Sequence, residues 1–308
     1  MYLINLIVQI FSFSTPSQKI LEILVTNHIL LVTTCKVKNF KNEGVNQMKP
    51  IITCIQLDIK FGDPNFNYQQ VEEKIALAVN QEKSTTIVLP ELWTTGYDLT
   101  RLDDISDQNG EKTKMFLSRL AKKYSVHIVG GSIAKKNEDS VTNTMYIVDN
   151  TGQVIHEYSK LHLFKLMDEH HYLSAGTEKG LFDLGGIKSA GVICYDIRFP
   201  EWIRTHTTQG AEVLFVVAEW PMPRLHHWKT LLLSRAIENQ CYVVACNRAG
   251  TDPDNEFAGH SVIIDPWGNI LAEADENPGM ISSELDIDLV KQVRRQIPIF
   301  DDRLPEYY

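Results

Sequence analysis

From residue 51 to residue 274 the chain alternates short apolar runs with longer segments whose apolar residues recur at helical spacing, and it does so twice. Nothing else in the sequence limits the fold as strongly. A five- to eight-residue run rich in Val and Ile reads as a strand buried on both faces, and the helices between such strands must cover them. In the first half, residues 51–57 open as such a strand, and residues 67–81 carry Val71, Ile75, Ala76, Ala78 and Val79 at helical spacing. Residues 85–91 form a second strand that stops at Pro90, and residues 111–124 a second helix with Met115, Phe116, Leu120 and Ala121 on one side. A strand at 126–133 follows, then a hairpin over 143–160 whose turn is supplied by Asp149, Asn150, Thr151 and Gly152.

The second half repeats the plan. Residues 189–196 are a buried strand, and 198–209 a helix with Pro200 near its first turn and Gly210 past its end. A strand at 212–220 leads into a helix at 226–240, with Trp228, Leu231, Leu232, Ala236 and Ile237 expected to face inward. A strand at 241–247 and a hairpin at 261–274 complete the pattern. No compositional break separates the halves. The pattern predicts one α/β domain in which two sheets face each other, flanked by helices.

Residues 1–47 read differently. Their apolar runs are interrupted at Ser14, Thr15, Pro16 and Ser17, and the first cationic side chain is Lys19, too late for a secretory signal. Neither run reaches the roughly 18–20 apolar residues that span a bilayer. The expected organisation is an upstream extension or leader over 1–47 and a working domain over 48–308, starting at Met48. The formal net charge of −9, with no dense Lys/Arg cluster, argues against a nucleic-acid partner, and no membrane partner is expected. Five cysteines without a C-x-x-C pair suit free thiols in a reducing compartment, so a cytoplasmic location is expected.

Each half sends one polar side chain out of the end of a buried strand, where α/β folds place their chemistry: Glu91 in the first, Cys194 in the second. Cys194 stands where the strand breaks into Tyr195 and Asp196 and a helix soon begins. A thiol there points away from the core, and the helix N-terminus is expected to lower its pKa. Cys54, Cys241 and Cys246 lie inside apolar strands and read as small buried hydrophobes. Glu91 follows Leu89 and Pro90 in a setting that desolvates a carboxylate and raises its pKa toward the range of a general base. Lys160 closes a hairpin strand; beside the other two, its ammonium would stabilise the oxyanion formed when a thiolate attacks a carbonyl. Arg198 with Glu201, and Arg235 with Glu238, are spaced for structural ion pairs. The pairs His170-His171 and His226-His227 are not expected to hold zinc, because adjacent helical histidines diverge.

The segments LPELWTTGYD (89–98), YSKLHLF (158–164) and GVICYDIRFPEW (191–202) resemble the three signature blocks of the nitrilase superfamily of carbon–nitrogen hydrolases. The resemblance runs from Met48 to the C-terminus and includes residues 227–250 and 259–271. It implies a four-layer α-β-β-α sandwich, with Glu91 as general base, Lys160 as oxyanion-stabilising cation and Cys194 as nucleophile. The family's second active-site glutamate falls on Glu169. No metal or organic cofactor is implied, and a homodimer through the helices after the catalytic strand is.

The wording CYDIRFPEW with AEWPMPRLHHW (218–228) resembles the ω-amidase branch, which hydrolyses the terminal amide of 2-oxo acids such as 2-oxoglutaramate. Such a substrate carries a carboxylate, so the pocket should offer cations. Arg224 and His227 are the candidates, with Trp220 as an apolar wall and the Tyr195 N–H as an oxyanion donor. The alternatives are an N-carbamoyl amidase built on the same residues, and a catalytically idle family member acting as a binding subunit.

Overall fold

The computed structural model describes residues 49–307. The expectation about residues 1–47 therefore falls outside the described residues.

The chain opens with strand β1 (Ile51–Gln56) and helix α1 (Pro64–Glu82). Asp63 caps α1 by accepting from the Phe66 N–H at 3.1 Å, and Pro64 occupies the first turn, where its missing N–H costs nothing. Next come β2 (Thr86–Val88), the short helix α2 (Leu102–Ile105), β3 (Asp107–Gln108) and α3 (Glu111–Tyr124). The long β4 (His127–Lys136) and β5 (Val141–Val148) lead to β6 (Val154–Ser159). The second half holds α4 (Glu169–Tyr172), β7 (Leu181–Leu184), β8 (Ile187–Ile193), α5 (Pro200–Thr207), β9 (Val213–Ala218), α6 (Leu225–Asn239) and β10 (Tyr242–Asn247). The hairpin β11 (Val262–Ile264) and β12 (Ile270–Glu273), then β13 (Gly279–Glu284) and α7 (Asp288–Gln296), complete it.

One sheet runs in the order β13-β1-β2-β4-β5-β6, with β3 on β4; the other runs β12-β11-β10-β9-β8-β7. Each has three parallel strands at its centre, β1, β2 and β4 in one and β8, β9 and β10 in the other. The last strand, β13, returns to pair antiparallel with β1, so the C-terminal part of the chain closes the first sheet.

Alternation along the strands builds the layers. Ile52, Cys54, Val88, Val129, Met145 and Ile147 pack with Val192, Val216 and Val244 in the core that joins the sheets. Ile55, Ile87, Ile128, Tyr146 and Val148 point the other way, onto Val71 and Ile75 of α1 and Leu117 and Leu120 of α3. Ile203 of α5 and Trp228, Leu232 and Ala236 of α6 cover the second sheet. This is the expected four-layer sandwich. The Cys246 thiol sits between the sheets, 3.3 Å from the Ile55 carbonyl and 3.4 Å from that of Val88. Cys54, Cys241 and Cys246 are free and buried, as small core residues.

Two side chains expected in the core are elsewhere: Met115 is 68% exposed and Ile237 50% exposed. The helical stripe is narrower than its apolar letters suggest. On α6 the exposed Leu233 and Ile237 form one edge, and the tip of the β11–β12 hairpin at Gly268 lies against both. The helix expected at 198–209 begins only at Pro200, because residues Cys194–Arg198 form a tighter 3-10 turn.

Candidate active site

Two turns, one from each sheet, make the site. After β2 the chain presents Glu91 and passes through Leu92 at φ +40°. Strand β4 fixes this turn: the Ser132 hydroxyl accepts from the Leu92 N–H at 3.0 Å, and the Ser132 N–H donates to the Pro90 carbonyl at 3.1 Å. Only glycine fits at 131, where φ is +58° and a Cβ would lie 2.1 Å from that same carbonyl. After β8, Cys194 itself adopts φ +46°, a conformation that costs a non-glycine residue about 1–3 kcal/mol. Asp196 holds it there. Its carboxylate accepts from the Ile193 N–H at 3.1 Å, the Tyr158 hydroxyl at 2.7 Å and the His162 N–H at 3.0 Å, and also contacts His162 Nδ1 at 2.7 Å.

Glu91, Lys160 and Glu169 are all fully buried and joined. Lys160 Nζ donates to Glu91 Oε1 at 2.8 Å and to Glu169 Oε1 at 2.6 Å. Glu91 Oε1 also accepts from Asn143 Nδ2 at 2.8 Å, and its Oε2 accepts from the backbone N–H of Glu219 at 2.9 Å. Since Glu219 follows β9, that bond ties the two halves together at the base. Glu169 accepts from the Tyr97 hydroxyl at 2.6 Å and from the Phe164 N–H at 2.7 Å.

Burial opposes the charge on Lys160, but the carboxylates of Glu169 and Glu91 outweigh it and hold the ammonium well above its ordinary range. Burial, partly offset by Lys160, pushes the Glu169 carboxyl up. The Cys194 thiol is also pushed well up, first by burial and then by the charge of Glu91, with Lys160 opposing. This corrects the expected lowering: the short turn after Cys194 contributes less than the loss of water and the neighbouring carboxylate. Both influences favour the neutral, protonated thiol.

Beside Cys194 lies a narrow cleft walled by Phe164, Met167, Tyr195, Arg198, Glu219, Trp220, Pro221 and Arg224. Tyr195, Trp220 and Arg224, the substrate-binding candidates, are among these walls. His227 does not line it; it is exposed and contacts Arg198 Nη2 at 3.2 Å. Arg198 makes no ion pair with Glu201 among the described residues. Its guanidinium lies 4.7 Å above the Trp220 ring, facing the cleft. Arg224 lies 5.4 Å above the Phe164 ring, so two cations sit on aromatic floors around one opening. The other expected pair, Arg235–Glu238, forms at 2.8 Å. At His170 and His171 the expected divergence fails: the rings are 3.8 Å apart and, with Asp168, make an exposed group whose ligand atoms lie within 4.8 Å of one another.

The sequence reading missed Tyr97, Asn143, Asp196, Arg198 and Glu219. A weak signal existed for two of them, since Tyr97 follows Glu91 by six positions in a buried loop and Asn143 is an amide in an apolar strand.

Residues 51–295 match the sequence profile of the family described as carbon-nitrogen hydrolase. A 2-oxoglutaramate amidase of Bacillus subtilis (strain 168) is 56% identical over 261 residues, covering 85% of this chain and 100% of the relative. The omega-amidase YafV of Yersinia enterocolitica is 33% identical over 82% of this chain and 95% of its own length. Among solved structures, XC1258 of Xanthomonas campestris, a CN-hydrolase superfamily protein with an arsenic adduct in its active site, superposes with a TM-score of 0.78 at 28% identity, covering 83% of this chain and 97% of its own. Nit3 of Saccharomyces cerevisiae, a member of branch 10 of the nitrilase superfamily, gives 0.76 at 31% identity, over 82% and 95%.

Proposed function

The chain belongs to the carbon–nitrogen hydrolase family, and from that footing we propose that it hydrolyses the terminal amide of a small 2-oxo acid, 2-oxoglutaramate being the type, through a Cys194 thioester. The observation that carries the reading is a buried thiol at a strained turn beside a buried Glu91–Lys160–Glu169 network, in a cleft with two arginines.

Glu91 takes the proton from Cys194, and the sulfur attacks the amide carbon. Lys160 and the Tyr195 backbone N–H stabilise the oxyanion. Glu91 returns the proton to the departing nitrogen, and ammonia leaves. A water deprotonated by Glu91 then attacks the thioester and frees the acid and the thiol. Glu169, anchored by Tyr97 and the Phe164 N–H, keeps Lys160 charged and faces the substrate nitrogen. The substrate carboxylate sits against Arg198 and Arg224, with Trp220 and Phe164 packing its carbon chain.

The working unit in this reading is a cytoplasmic homodimer. Buried free thiols fit a reducing compartment, and the apolar strip of Leu233, Ile237, Trp267 and Ile270 beside α6 fits a self-association face. No helix among the described residues is long and apolar enough to cross a membrane.

The test is ammonia release from 2-oxoglutaramate beside an N-carbamoyl amino acid and a simple nitrile. Turnover confined to the 2-oxo acid amide is expected. Turnover of the carbamoyl compound instead would keep Cys194 and overturn the substrate, and no turnover with any of them would favour the idle-subunit alternative.

A further inference from the structure

Glu219 has no part in the chemistry so far except through its backbone, yet its side chain is fully buried and lines the cleft with Cys194. One of its oxygens is occupied: Oε2 accepts from Arg248 Nη1 at 2.7 Å. The other, Oε1, has no hydrogen-bond partner among the described residues. A buried polar atom left without a partner costs about 1–3 kcal/mol, so such an atom in the wall of a binding cleft suggests a ligand that completes it. Its position says which part of the ligand. The Glu219 N–H holds Glu91, at the reacting end, and the next residue, Trp220, carries the Arg198 guanidinium over its ring, at the carboxylate end. Glu219 therefore addresses the middle of the substrate.

We propose that Glu219 is a specificity-determining residue whose Oε1 donates a hydrogen bond to the 2-ketone oxygen of the substrate. This rests on the 2-oxo acid amide reading above. Arg248 acts as its positioning residue: fully buried, it also donates to the Ile59 carbonyl at 2.8 Å and the Thr251 carbonyl at 3.1 Å, and lies 4.0 Å from the Phe257 ring.

The proton required for donation follows from the surroundings. Asp252 lies 3.9 Å from the same guanidinium and Asp58 feels its charge, so Arg248 is shared among three carboxylates. Glu91 adds a further negative neighbour, while Cys194, Arg198 and Arg224 face the group across the cleft. Burial, outweighing Arg248, pushes the Glu219 carboxyl up to about 8. Because Oε2 already accepts from Arg248, the proton belongs on Oε1.

The deciding experiment compares kcat/KM for 2-oxoglutaramate with that for glutaramic acid, the same monoamide with a methylene in place of the ketone. Wild-type enzyme favours the ketone, and its preference declines as pH rises through about 8. Glu219→Leu lowers kcat/KM for the ketone substrate about ten- to a hundredfold more than for glutaramic acid, so the preference collapses. Glu219→Gln restores the preference and makes it independent of pH: its carbonyl takes the Arg248 contact and its NH₂ replaces the Oε1 proton. Should Glu219→Leu fail to fold, the Gln variant decides alone, since a preference that still fell through pH 8 would overturn the proposal. Equal loss on both substrates in the Leu variant would also overturn it, as would a wild-type enzyme indifferent to the ketone; both leave the amidase reading intact. Ammonia from neither substrate would sink both readings together.

Discussion

The two ends of the cleft are built on opposite principles. At the reacting end, Glu91, Lys160 and Glu169 have lost all contact with water and satisfy one another. At the far end, Arg198 and Arg224 remain partly exposed, spread on aromatic rings, with no carboxylate among the described residues as ion-pair partner. A buried network has a fixed geometry because any departure strands a charge at low dielectric. Cations on a rim keep their water until a ligand replaces it, which suits recognition better than catalysis. The difference predicts that mutations at the reacting end damage turnover and stability together, and that mutations at the rim damage binding alone.

The largest effect belongs to Lys160→Met. With Lys160 as the proposed oxyanion cation, its loss should lower kcat about a hundred- to a thousandfold. The same change leaves Glu91 and Glu169 buried without a counter-charge, so urea denaturation should show a loss of about 3–5 kcal/mol. Normal stability with lost turnover would break the comparison at its first end. Next comes Arg198→Met, expected to raise KM for 2-oxoglutaramate about tenfold or somewhat more, with kcat and urea midpoint kept. Arg224→Met should act in the same direction. A fall in kcat without a change in KM would move Arg198 from recognition into the chemistry.

The smallest effect is one of pH on stability. Folding raises the Cys194 pKa above its ordinary value of 9.0, so the folded state holds this proton longer than the unfolded chain does. Its contribution is complete below pH 9.0 and is lost as pH rises from there toward the folded value. The urea midpoints of wild type and Cys194→Ser should therefore run parallel at neutral pH and converge or cross above about pH 9, in favour of the serine variant. Parallel curves throughout would mean that the thiol is less desolvated than its surroundings indicate.

The same contrast marks what could be read without coordinates. Periodicity exposed the central strands, α1, α3 and α6, because each keeps a regular apolar face. It missed β7 and β13, whose half-buried residues alternate too weakly to stand out. Glu91, Lys160, Glu169 and Cys194 were legible because each lies in or beside a run of specific neighbours. Tyr97, Asn143 and Glu219 were not, since what matters is where their polar atoms converge: Asn143 meets Glu91 across 52 positions of sequence, and the Glu219 N–H meets it across 128. Arg198 was misassigned for a related reason. Its i, i+3 spacing to Glu201 suggests an ion pair only on a continuous helix, and the 3-10 turn that Asp196 pins down ends between them. The exposed rim reads poorly because a cation on a surface leaves no pattern; only the packing of Trp220 beneath it shows what it faces.

The central claim is covalent catalysis at Cys194, and rapid acid quenching of the full-length protein during turnover of 2-oxoglutaramate tests it most directly. Peptide mass analysis should find the acyl group of the substrate on the peptide carrying Cys194, absent from Cys194→Ala, which should also have lost at least about 10⁴-fold in kcat. An unmodified Cys194 together with an alanine variant that still releases ammonia would contradict the account.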